Sequence, residues 1–237
     1  MKVVVQIPCF NEETTLPLVF ERMPRSIPGV DILEFQIVDD GSTDGTPEAI
    51  ASFGSRVKTT RQENAGHGAA RNTGIGMATG EFIAFLDADD LWHPDKIQRQ
   101  LERLSVPMCF TWLRNFEGMP PVWETAHNRD SVPGYSSVTA LVHRSVFDAI
   151  GAFDPSLRHG GDRDFFMRAA ERGIGKVMLD EVLVYRRLHA SNRSRHLSAN
   201  SRAEYLRILK ASLDRRRLAG AVTDLDFSSH ARDRGDT

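Results

Sequence analysis

Short apolar runs alternate with amphipathic segments over the first hundred positions of the chain. These strand-like runs predict four strands, at Val3–Ile7, Glu34–Val38, Val57–Thr60 and Phe82–Leu86, the third of them short. The intervening segments have apolar residues at helical spacing and predict helices, at Thr14–Met23, Thr46–Gly54, His67–Ala78 and His93–Leu104. Within the second of these helices, Thr46 is the expected N-cap and Pro47 the first-turn residue. Regular alternation of strand and helix is typical of a parallel sheet covered by helices, so we predict an α/β fold.

Beyond residue 104 the alternation is lost, and fewer elements can be predicted. Val138–Val142 predicts a strand that returns to the sheet, and Ser145–Ile150 predicts a helix. A further helix is expected to bury Phe165, Phe166 and Ala169 and to end at Gly173.

The C-terminal part of the chain is strongly basic. From residue 186 to residue 217 there are ten Lys or Arg and two acidic residues, Glu204 and Asp214. An apolar stripe at helical spacing runs through the same part, formed by Tyr205, Leu206, Leu209 and Leu213. A basic amphipathic helix of this kind either rests on an anionic membrane or packs on the domain with its charges in water. Both interpretations remain open at this stage.

Length and composition are those of an ordinary globular protein. A chain of 237 residues with 41% hydrophobic content can form one large domain, or one domain with an appendage. The net charge of −2 gives no general attraction to nucleic acid. Cys9 and Cys109 form no metal-ligand pattern, which favours a reducing compartment. The sequence shows no secretion signal and no run long enough to span a bilayer, so we expect a cytoplasmic protein, peripheral at most on the inner membrane face.

Polar residues cluster at the carboxyl end of each predicted strand. The clusters are Pro8–Glu12, Asp39–Ser42, Arg61–Gly66 and Asp87–Asp90. Carboxyl ends of parallel strands share one edge, where ligands bind, and right-handed crossovers keep the clusters together. We therefore expect the four clusters to line one pocket.

The fourth cluster places three carboxylates directly after a buried strand: Asp87, Asp89 and Asp90. Clustered carboxylates repel one another and lose hydration when buried, so a divalent cation with an anionic ligand would offset their charge. The alternative is an acidic loop that only caps a helix.

Four motifs in chain order resemble the inverting, nucleotide-sugar-dependent glycosyltransferases of family 2, which have the GT-A fold. They are VVVQIPCFNEE from Val3, IVDDGSTDGT from Ile37, NAGHGAARNTG from Asn64 and LDADD from Leu86. Weaker similarity continues through residues 151–154, 161–164 and 185–189. The resemblance implies a Rossmann-like, mostly parallel sheet flanked by helices, with a C-terminal acceptor-side region and a terminal helix.

The same resemblance implies a division of the chain. Residues 1–197 would form the glycosyltransferase domain, with a nucleotide-sugar half at 1–104 and an acceptor and catalytic-base half at 105–197. Residues 198–222 would form the basic helical appendage, and residues 223–237 are predicted to be disordered because they are polar.

Nucleotide contacts carry over from the family residue by residue. Pro8, Phe10 and Glu12 would border the nucleotide. Asp40 would accept a hydrogen bond from the ring N–H of the base, while Asp39 contacts the nucleotide or caps the neighbouring turn.

The acidic motif carries over as the family's Asp-x-Asp element. Asp87 and Ala88 would lie near the ribose, and Asp89, with help from Asp87, would bind Mg²⁺ or Mn²⁺ at the diphosphate. Asp90 would support this loop from behind or cap a helix.

Arg71 follows a glycine-bearing loop that allows close approach of a ligand to the backbone. Its guanidinium could pair with a phosphate or with the aspartates, or it could simply hold the loop at the surface. The preceding Gly66-x-Gly68 is not a dinucleotide fingerprint, because Arg71 replaces the third glycine and the motif follows the third strand.

Asp162 corresponds to the family's catalytic base, which takes the proton of the acceptor hydroxyl. The family usually has a glutamate before this aspartate, whereas this chain has Gly161. The alternative role for Asp162 is that of a helix N-cap. Asp164 is two residues away and should point in a different direction.

His189 resembles the histidine of the family's late loop, which closes over the diphosphate, and is a further candidate metal ligand. Arg187 is a weaker candidate on the same segment, and both residues could instead be structural. Between residues 105 and 138, Trp112, Trp123 and Tyr135 suit a sugar or peptide acceptor, although they suit ordinary packing equally well.

The sequence thus predicts a metal-dependent enzyme that transfers a sugar from a nucleoside-diphosphate sugar to an acceptor hydroxyl with inversion. A UDP-sugar is the first expectation, but no residue selects uridine over guanosine or thymidine, and the acceptor could be a saccharide, a lipid-linked molecule or a peptide. Two alternatives are a non-catalytic nucleotide-sugar or carbohydrate-binding protein and a sugar-phosphate nucleotidyltransferase. The latter is disfavoured because no phosphate-binding loop rich in glycine and basic residues follows the first strand.

Overall fold

The computed structural model describes residues 1–119, 122–189 and 199–220. The strands are β1 Lys2–Cys9, β2 Ile32–Asp39, β3 Lys58–Arg61, β4 Phe82–Phe85, β5 Leu91–Trp92, β6 Met108–Phe116, β7 Ser131–Pro133, β8 Leu141–His143 and β9 Lys176–Arg187. The helices are α1 Leu16–Arg22, α2 Thr46–Ser52, α3 His67–Met77, α4 Lys96–Glu102, α5 Ser145–Ile150, α6 Gly161–Glu171 and α7 Ala199–Leu218. Short 3-10 helices lie at Gly54–Arg56 and Ser137–Thr139.

The nine strands form one mixed sheet in the order β3-β2-β1-β4-β8-β6-β9-β5, with β7 paired to β6. The first four strands along the chain are mutually parallel, and Val5 of β1 lies opposite Phe35 of β2 and Ala84 of β4. The strand β8 pairs antiparallel with both β4 and β6. The α/β prediction is therefore confirmed, including the four strands of the first half.

Burial explains why β1, β2 and β4 could be predicted, whereas β3 has no buried residue. Seven of the eight residues of β1, and all four of β4, are buried. A strand in the middle of a parallel sheet is covered by helices on both faces, so it requires a continuous apolar run. One core face contains Val3, Val5, Phe20 and Ile37, and the other contains Val4, Phe85, Phe110 and Phe165.

The second half of the chain differs from the prediction. The segment without clear periodicity contains β6, which pairs in parallel with β9 along most of its length. The predicted strand Val138–Val142 is wrong in its first half, because Ser137–Thr139 is a 3-10 turn and the strand is Leu141–His143. A capping box formed by Ser136 and Thr139 stabilises that turn.

Two helix starts are also corrected. Helix α2 begins at Thr46 with Gly45 as its N-cap, and the Thr46 hydroxyl bonds instead to Asp44. Helix α4 begins at Lys96, after a turn in which the N–H of Lys96 donates to the carbonyl of His93. The predicted end of α6 at Gly173 is confirmed, with φ at +67° just after the C-cap.

The terminal helix α7 packs on α6. Ile208 of α7 is buried with Leu157 and Met167, and Arg215 pairs with Glu171 of α6. Within the described residues, no helix is long and apolar enough to cross a membrane. The predicted disordered tail, residues 223–237, lies outside the described residues.

Candidate active site

The carboxyl ends of the first strands meet at one edge of the sheet, as expected for parallel neighbours. The N–H of Asp40 donates to the carbonyl of Cys9 at 2.9 Å, and the N–H of Gln62 donates to the carbonyl of Asp39 at 2.9 Å. The N–H of Leu86 donates to the carbonyl of Gln6 at 3.0 Å. The four polar clusters therefore begin from adjacent positions of the sheet.

The side chain of Asp39 forms a hydrogen bond within its own turn. Its Oδ1 accepts the N–H of Ser42 at 2.8 Å, and its Oδ2 lies 3.3 Å from Nε of Arg61. The side chain is 3% exposed. This geometry matches the turn-capping interpretation of Asp39, while its predicted contact with the nucleotide stays a prediction.

Asp40 organises the loop after β3. Its Oδ1 accepts from Nε2 of Gln62 at 2.8 Å and from the N–H of Ala65 at 3.0 Å, and its Oδ2 accepts from the N–H of Gly66 at 2.9 Å. A carboxylate has about four acceptor positions, so one remains for a ligand. Asp40 thus fixes the loop that opens into α3, and its contact with a base remains a prediction.

The first loop is tied to the second by side chains. Asn11 has φ at +57°, and its Oδ1 accepts the N–H of Thr43 at 2.8 Å. The N–H of Glu12 donates to the hydroxyl of Thr46 at 2.7 Å. Pro8 is buried in β1, whereas Phe10 is 45% exposed at the sheet edge. An exposed aromatic ring beside a polar edge is suited to contact a ligand.

The acidic motif lies in the next loop, and each carboxylate has a different partner. Asp87 pairs with Nη2 of Arg71 at 2.8 Å, and Asp89 contacts Nε2 of His189 at 2.8 Å. Asp90 is buried and accepts the N–H of Arg187 at 2.9 Å. Asp90 therefore anchors β9 from behind the motif and caps no helix.

Burial and mutual repulsion disfavour the charged forms of these acids. Burial, reinforced by the charge of Asp87, raises the pKa of Asp89. Burial and the charges of Asp89 and Asp87 raise the pKa of Asp90 well above its usual value. Burial also raises the pKa of Glu12 to about 7, with Asp89 and Asp87 adding to the effect. Burial and neighbouring carboxylates thus disfavour the charged forms of Glu12, Asp89 and Asp90 within the described residues.

A divalent cation fits this charge balance. Asp89 and His189 offer an oxygen and a nitrogen atom 2.8 Å apart, which one cation could share. Within the described residues, no group of three or more His, Cys, Asp or Glu side chains is arranged to hold a metal ion. Asp89 and His189 would supply two of the ligands of such a cation, and phosphate oxygens are suitable further ligands.

Arg71 connects the acidic motif to Asp162. Its Nη2 donates to Asp87 and its Nη1 donates to Asp162, both at 2.8 Å, and its side chain is 3% exposed. The guanidinium carbon lies 5.7 Å from the ring centre of Phe85 and 5.6 Å from that of Phe153. Arg71 therefore pairs with the aspartates and is not a surface residue, while its contact with a phosphate stays a prediction. The two carboxylates thus lie within the span of one guanidinium.

Asp162 lies in the first turn of α6, whose N-cap is Gly160 with φ at +75°. Its Oδ1 accepts from Arg71, and its Oδ2 accepts from the N–H and the hydroxyl of Ser137, both at 3.1 Å. Asp162 is therefore not the N-cap, and about one acceptor position stays open. Its side chain is 25% exposed.

The neighbours of Asp162 on α6 have separate surroundings. Asp164 points away from Asp162 as expected, and bonds to Nε of Arg168 at 2.8 Å. A Cβ atom added at Gly161 would meet nothing within 4 Å. Glycine is thus not required by packing at the position where the family usually has glutamate.

The aromatic candidates of the second half are engaged in packing. Trp112 stacks on His127 with ring centres 3.9 Å apart, and Trp123 contacts Tyr185 edge-on at 5.0 Å. Tyr135 packs against Phe110 at 5.3 Å. Each ring is only partly buried, so a role toward an acceptor stays a prediction.

Three supporting contacts were not predicted from sequence: those of Gln62, which lies in the predicted polar cluster Arg61–Gly66, of Ser137, and of Asp90 with β9. Gln62 lies 22 positions from Asp40, and Ser137 lies 25 positions from Asp162. No local pattern marks them, because their roles depend on contacts made by the folded chain. Arg187 was named as a weak candidate, and its Nε donates to the carbonyl of Asp89 at 3.1 Å.

Residues 4–155 match the family described as Glycosyl transferase family 2. This match covers more than half of the chain, so the protein belongs to that family.

Among curated proteins, an uncharacterized glycosyltransferase of Rickettsia prowazekii (strain Madrid E) is 26% identical over 193 residues, which cover 73% of this chain and 60% of the relative. Alignments with five curated glycosyltransferases span between 12% and 60% of the lengths of those proteins. The chain therefore corresponds to less than two thirds of each of these relatives.

Solved structures are similar to the whole fold. S. aureus TarS 1-349 in complex with UDP-GlcNAc has a TM-score of 0.73 at 19% identity, over 94% of this chain and 68% of that chain. Glucosyl-3-phosphoglycerate synthase from Mycobacterium tuberculosis, in complex with Mn²⁺, UDP and phosphoglyceric acid, has a TM-score of 0.62 at 20% identity, over 89% of this chain and 78% of that chain. The GT-A fold predicted from the sequence is confirmed.

Proposed function

We propose that this protein transfers a sugar from a nucleoside-diphosphate sugar to a hydroxyl acceptor, with inversion at the transferred carbon and with a divalent cation. The observation that carries the proposal is the bridge made by Arg71 between Asp87 and Asp162. Asp87, a carboxylate on the donor side, and Asp162, a carboxylate suited to act as a base, are thus separated only by the side chain of Arg71. Donor and acceptor could therefore meet in one site.

Donor binding is assigned to the edge formed by β1, β2 and β4. Asp40 and the loop it holds would receive the base, Asp87 would face the ribose, and Phe10 would line the entrance. Support for a uridine nucleotide comes from TarS and the mycobacterial synthase, whose structures contain UDP-GlcNAc and UDP. The side chains around Asp40 do not exclude other bases.

Asp162 is the proposed base. Its carboxylate would take the proton of the acceptor hydroxyl while the acceptor oxygen bonds to the anomeric carbon and the bond from that carbon to the phosphate oxygen breaks. The nucleoside diphosphate leaves with the electron pair of that bond. Attack opposite the leaving group inverts the anomeric carbon. Arg71 and Ser137 hold the carboxylate in place from the side that faces the protein.

Asp89 and His189 are the residues that would hold Mg²⁺ or Mn²⁺, with Asp87 close by. When bound, the cation would neutralise charge on the departing diphosphate. The raised pKa of Asp89 and the closeness of the two donor atoms support this assignment. The mycobacterial synthase structure also contains Mn²⁺.

Release of nucleoside diphosphate from UDP-, GDP- and dTDP-sugars, measured with Mn²⁺ and with a chelator, tests the proposal. We expect one donor to be turned over, slowly onto water and faster onto an acceptor hydroxyl, and only with the cation. Asp162→Asn should keep donor binding and lower transfer by about two to four orders of magnitude, the contribution typical of a general base.

Asp148→Asn is a matched control, because Asp148 is exposed on α5 and the substitution removes the same charge. It should leave binding and turnover unchanged. Donor binding without turnover by the unaltered protein, across all donors and acceptors tried, would favour a non-catalytic sugar-nucleotide-binding protein instead. Equal transfer by Asp162→Asn would place the base elsewhere.

A further inference from the structure

Helix α7 has apolar residues on two opposite faces. Ile208 lies on the inner face, 2% exposed, and packs with Leu157 and Met167 of the domain. On the outer face three leucines are 67%, 46% and 44% exposed: Leu206, Leu209 and Leu213. Within residues 1–119, 122–189 and 199–220, no core cluster includes these three side chains. The inner face accounts for the packing of α7 on the domain. This packing does not explain the three exposed leucines of the outer face.

Cations surround the outer leucines. At about 100° per residue, Arg202, Lys210 and Arg217 project on the same side of α7 as the leucines, and all three are exposed. We call these six residues the outer face of α7. Lys210 is 82% exposed and has one loose acidic neighbour, Asp214, at 3.8 Å. The other acid of the helix, Glu204, is directed to the domain, where it accepts the N–H of His159 at 2.7 Å.

The charge pattern decides which partner suits this face. A second copy of the chain, paired through the same leucines, would bring two sets of three cations together, which is unfavourable. An anionic lipid surface neutralises the cations while the leucines enter the boundary between headgroups and acyl chains. We propose that the outer face of α7 is a binding surface for bilayers containing anionic phospholipid.

Helix α7 packs directly against the start of α6, close to the proposed base. Tyr205 and Ile208 pack so closely on Gly160 that a Cβ atom there would lie 2.8 Å from Tyr205 and 2.9 Å from Ile208. Gly160 is two residues before Asp162. The bilayer would thus contact α7, which packs against the start of α6, the helix that carries the proposed base. If the proposed function holds, an acceptor hydroxyl carried on a lipid is the class that this arrangement favours.

Flotation of the full chain with vesicles tests the membrane contact without any activity assay. We expect binding to vesicles of equimolar phosphatidylglycerol and phosphatidylcholine, weak binding to phosphatidylcholine alone, and loss of binding in high salt. The triple variant Arg202→Gln, Lys210→Gln, Arg217→Gln should lower the partition coefficient at least about tenfold, since each cation near an anionic surface contributes to binding. The triple variant Leu206→Ser, Leu209→Ser, Leu213→Ser should do the same with the charges kept.

Matched controls are available elsewhere on the surface. Leu18, Ile32 and Val132 are 46%, 54% and 45% exposed, so their triple serine variant removes a similar exposed apolar content. Arg22, Arg103 and Arg129 provide the corresponding exposed charge control. Both controls should bind vesicles as the unaltered chain does.

Three results would overturn the proposal: no flotation with anionic vesicles, equal loss of binding in the control triples, or a dimer in sedimentation velocity that only the outer leucine variant dissociates. The last result would assign the face to a second copy of the chain. None of these measurements depends on donor turnover, so failure of the proposed function and failure of the membrane contact are distinguishable.

Discussion

The two ends of the candidate site differ in how their carboxylates are satisfied. At the end formed by β2 and β3, Asp39 and Asp40 accept backbone N–H groups at 2.8 to 3.0 Å, and Arg61 lies 3.3 Å from Asp39. At the end formed by β4 and β9, burial and mutual repulsion raise the pKa of Glu12, Asp89 and Asp90. The first end is organised before any ligand binds, whereas at the second end burial and mutual repulsion disfavour the charged forms of the carboxylates.

This difference assigns distinct roles to the two ends. A rigid loop with one free acceptor position suits recognition of a neutral, planar base, because little ordering is left to occur on binding. A group of buried, mutually repelling carboxylates suits a cation with its phosphate ligand. Arg71 lies where the second end meets Asp162, so it is the residue whose loss should disturb the site most.

Arg71→Ala should have the largest effect. It leaves Asp87 and Asp162 without their shared partner, and we expect a loss of transfer of about two orders of magnitude or more, because the base is no longer held in position. Stability should fall by about 1–3 kcal/mol, less than for a fully buried pair because both carboxylates are partly exposed. Transfer rates and urea denaturation measure the two effects. Arg71→Lys should recover stability more than activity, because lysine cannot bridge two carboxylates as a fork.

The control for Arg71 is Arg129→Ala, since Arg129 is 94% exposed and has only a loose acidic neighbour at 3.9 Å. It should change stability by less than about 0.5 kcal/mol. Unchanged transfer by Arg71→Ala would show that the bridge has no part in the reaction.

Asp40→Asn tests the organised end. An amide has one acceptor oxygen and a donor NH₂, so it cannot accept from Gln62, Ala65 and Gly66 as the carboxylate does. We expect a loss of about 1–2 kcal/mol in the free energy of unfolding and faster hydrogen exchange at Ala65 and Gly66. Urea denaturation and amide exchange measure these changes, with Asp148→Asn as the neutral reference. Unaltered exchange in the loop would contradict the assigned role of Asp40.

The group of carboxylates with raised pKa predicts a specific pH dependence of stability. The pKa of Glu12 is raised from 4.5 to about 7, so the folded state binds this proton more tightly than the unfolded state does. The contribution of Glu12 to stability is therefore full below about pH 4.5 and is lost as pH rises to about 7. In thermal unfolding without cation, the melting temperature should decline less over this pH range for Glu12→Gln than for the unaltered chain. Added Mn²⁺ should raise the melting temperature more at pH 7.5 than at pH 5, because protons compete with the cation. If the melting temperature of Glu12→Gln declined with pH as steeply as that of the unaltered chain, Glu12 would not be a source of this pH dependence.

Ser137→Ala should have the smallest effect. It removes the hydroxyl donor to Asp162 and leaves the backbone donor in place. A transfer rate lowered about threefold to tenfold, with donor affinity unchanged, corresponds to the loss of one hydrogen bond. Steady-state kinetics with saturating donor measures it. A loss as large as that of Asp162→Asn would mean that the serine itself takes part in the reaction.

The predictable part of the fold is the part where local sequence and tertiary environment agree. Phe82–Leu86 is apolar throughout and Val3–Ile7 is apolar apart from Gln6, because strands in the middle of a sheet covered by helices are buried on both faces. The strand β6 was missed because it buries polar residues among apolar ones, including Thr111 and Arg114. The strand β9 was missed because Asp180 and Glu181 interrupt its apolar run.

The same distinction applies to the site. Asp87, Asp89 and Asp162 were named from motifs, and their partners could be assigned only after folding. Arg71 and Asp162 are 91 positions apart, and His189 and Asp89 are 100 positions apart. Local patterns give the direction of a strand or a helix, but they do not determine which distant side chains face each other. The motif positions were therefore predictable, whereas the bridge and the hydrogen bonds around it were not.

Diffraction from crystals grown with Mn²⁺ and a nucleoside diphosphate, recorded at the manganese absorption edge, tests the central claim most directly. The account predicts an anomalous peak bound to Asp89 and to the diphosphate, with the base beside Asp40 at the other end of the same pocket. A nucleotide bound away from this edge, or a manganese peak without contact to Asp89, would contradict it.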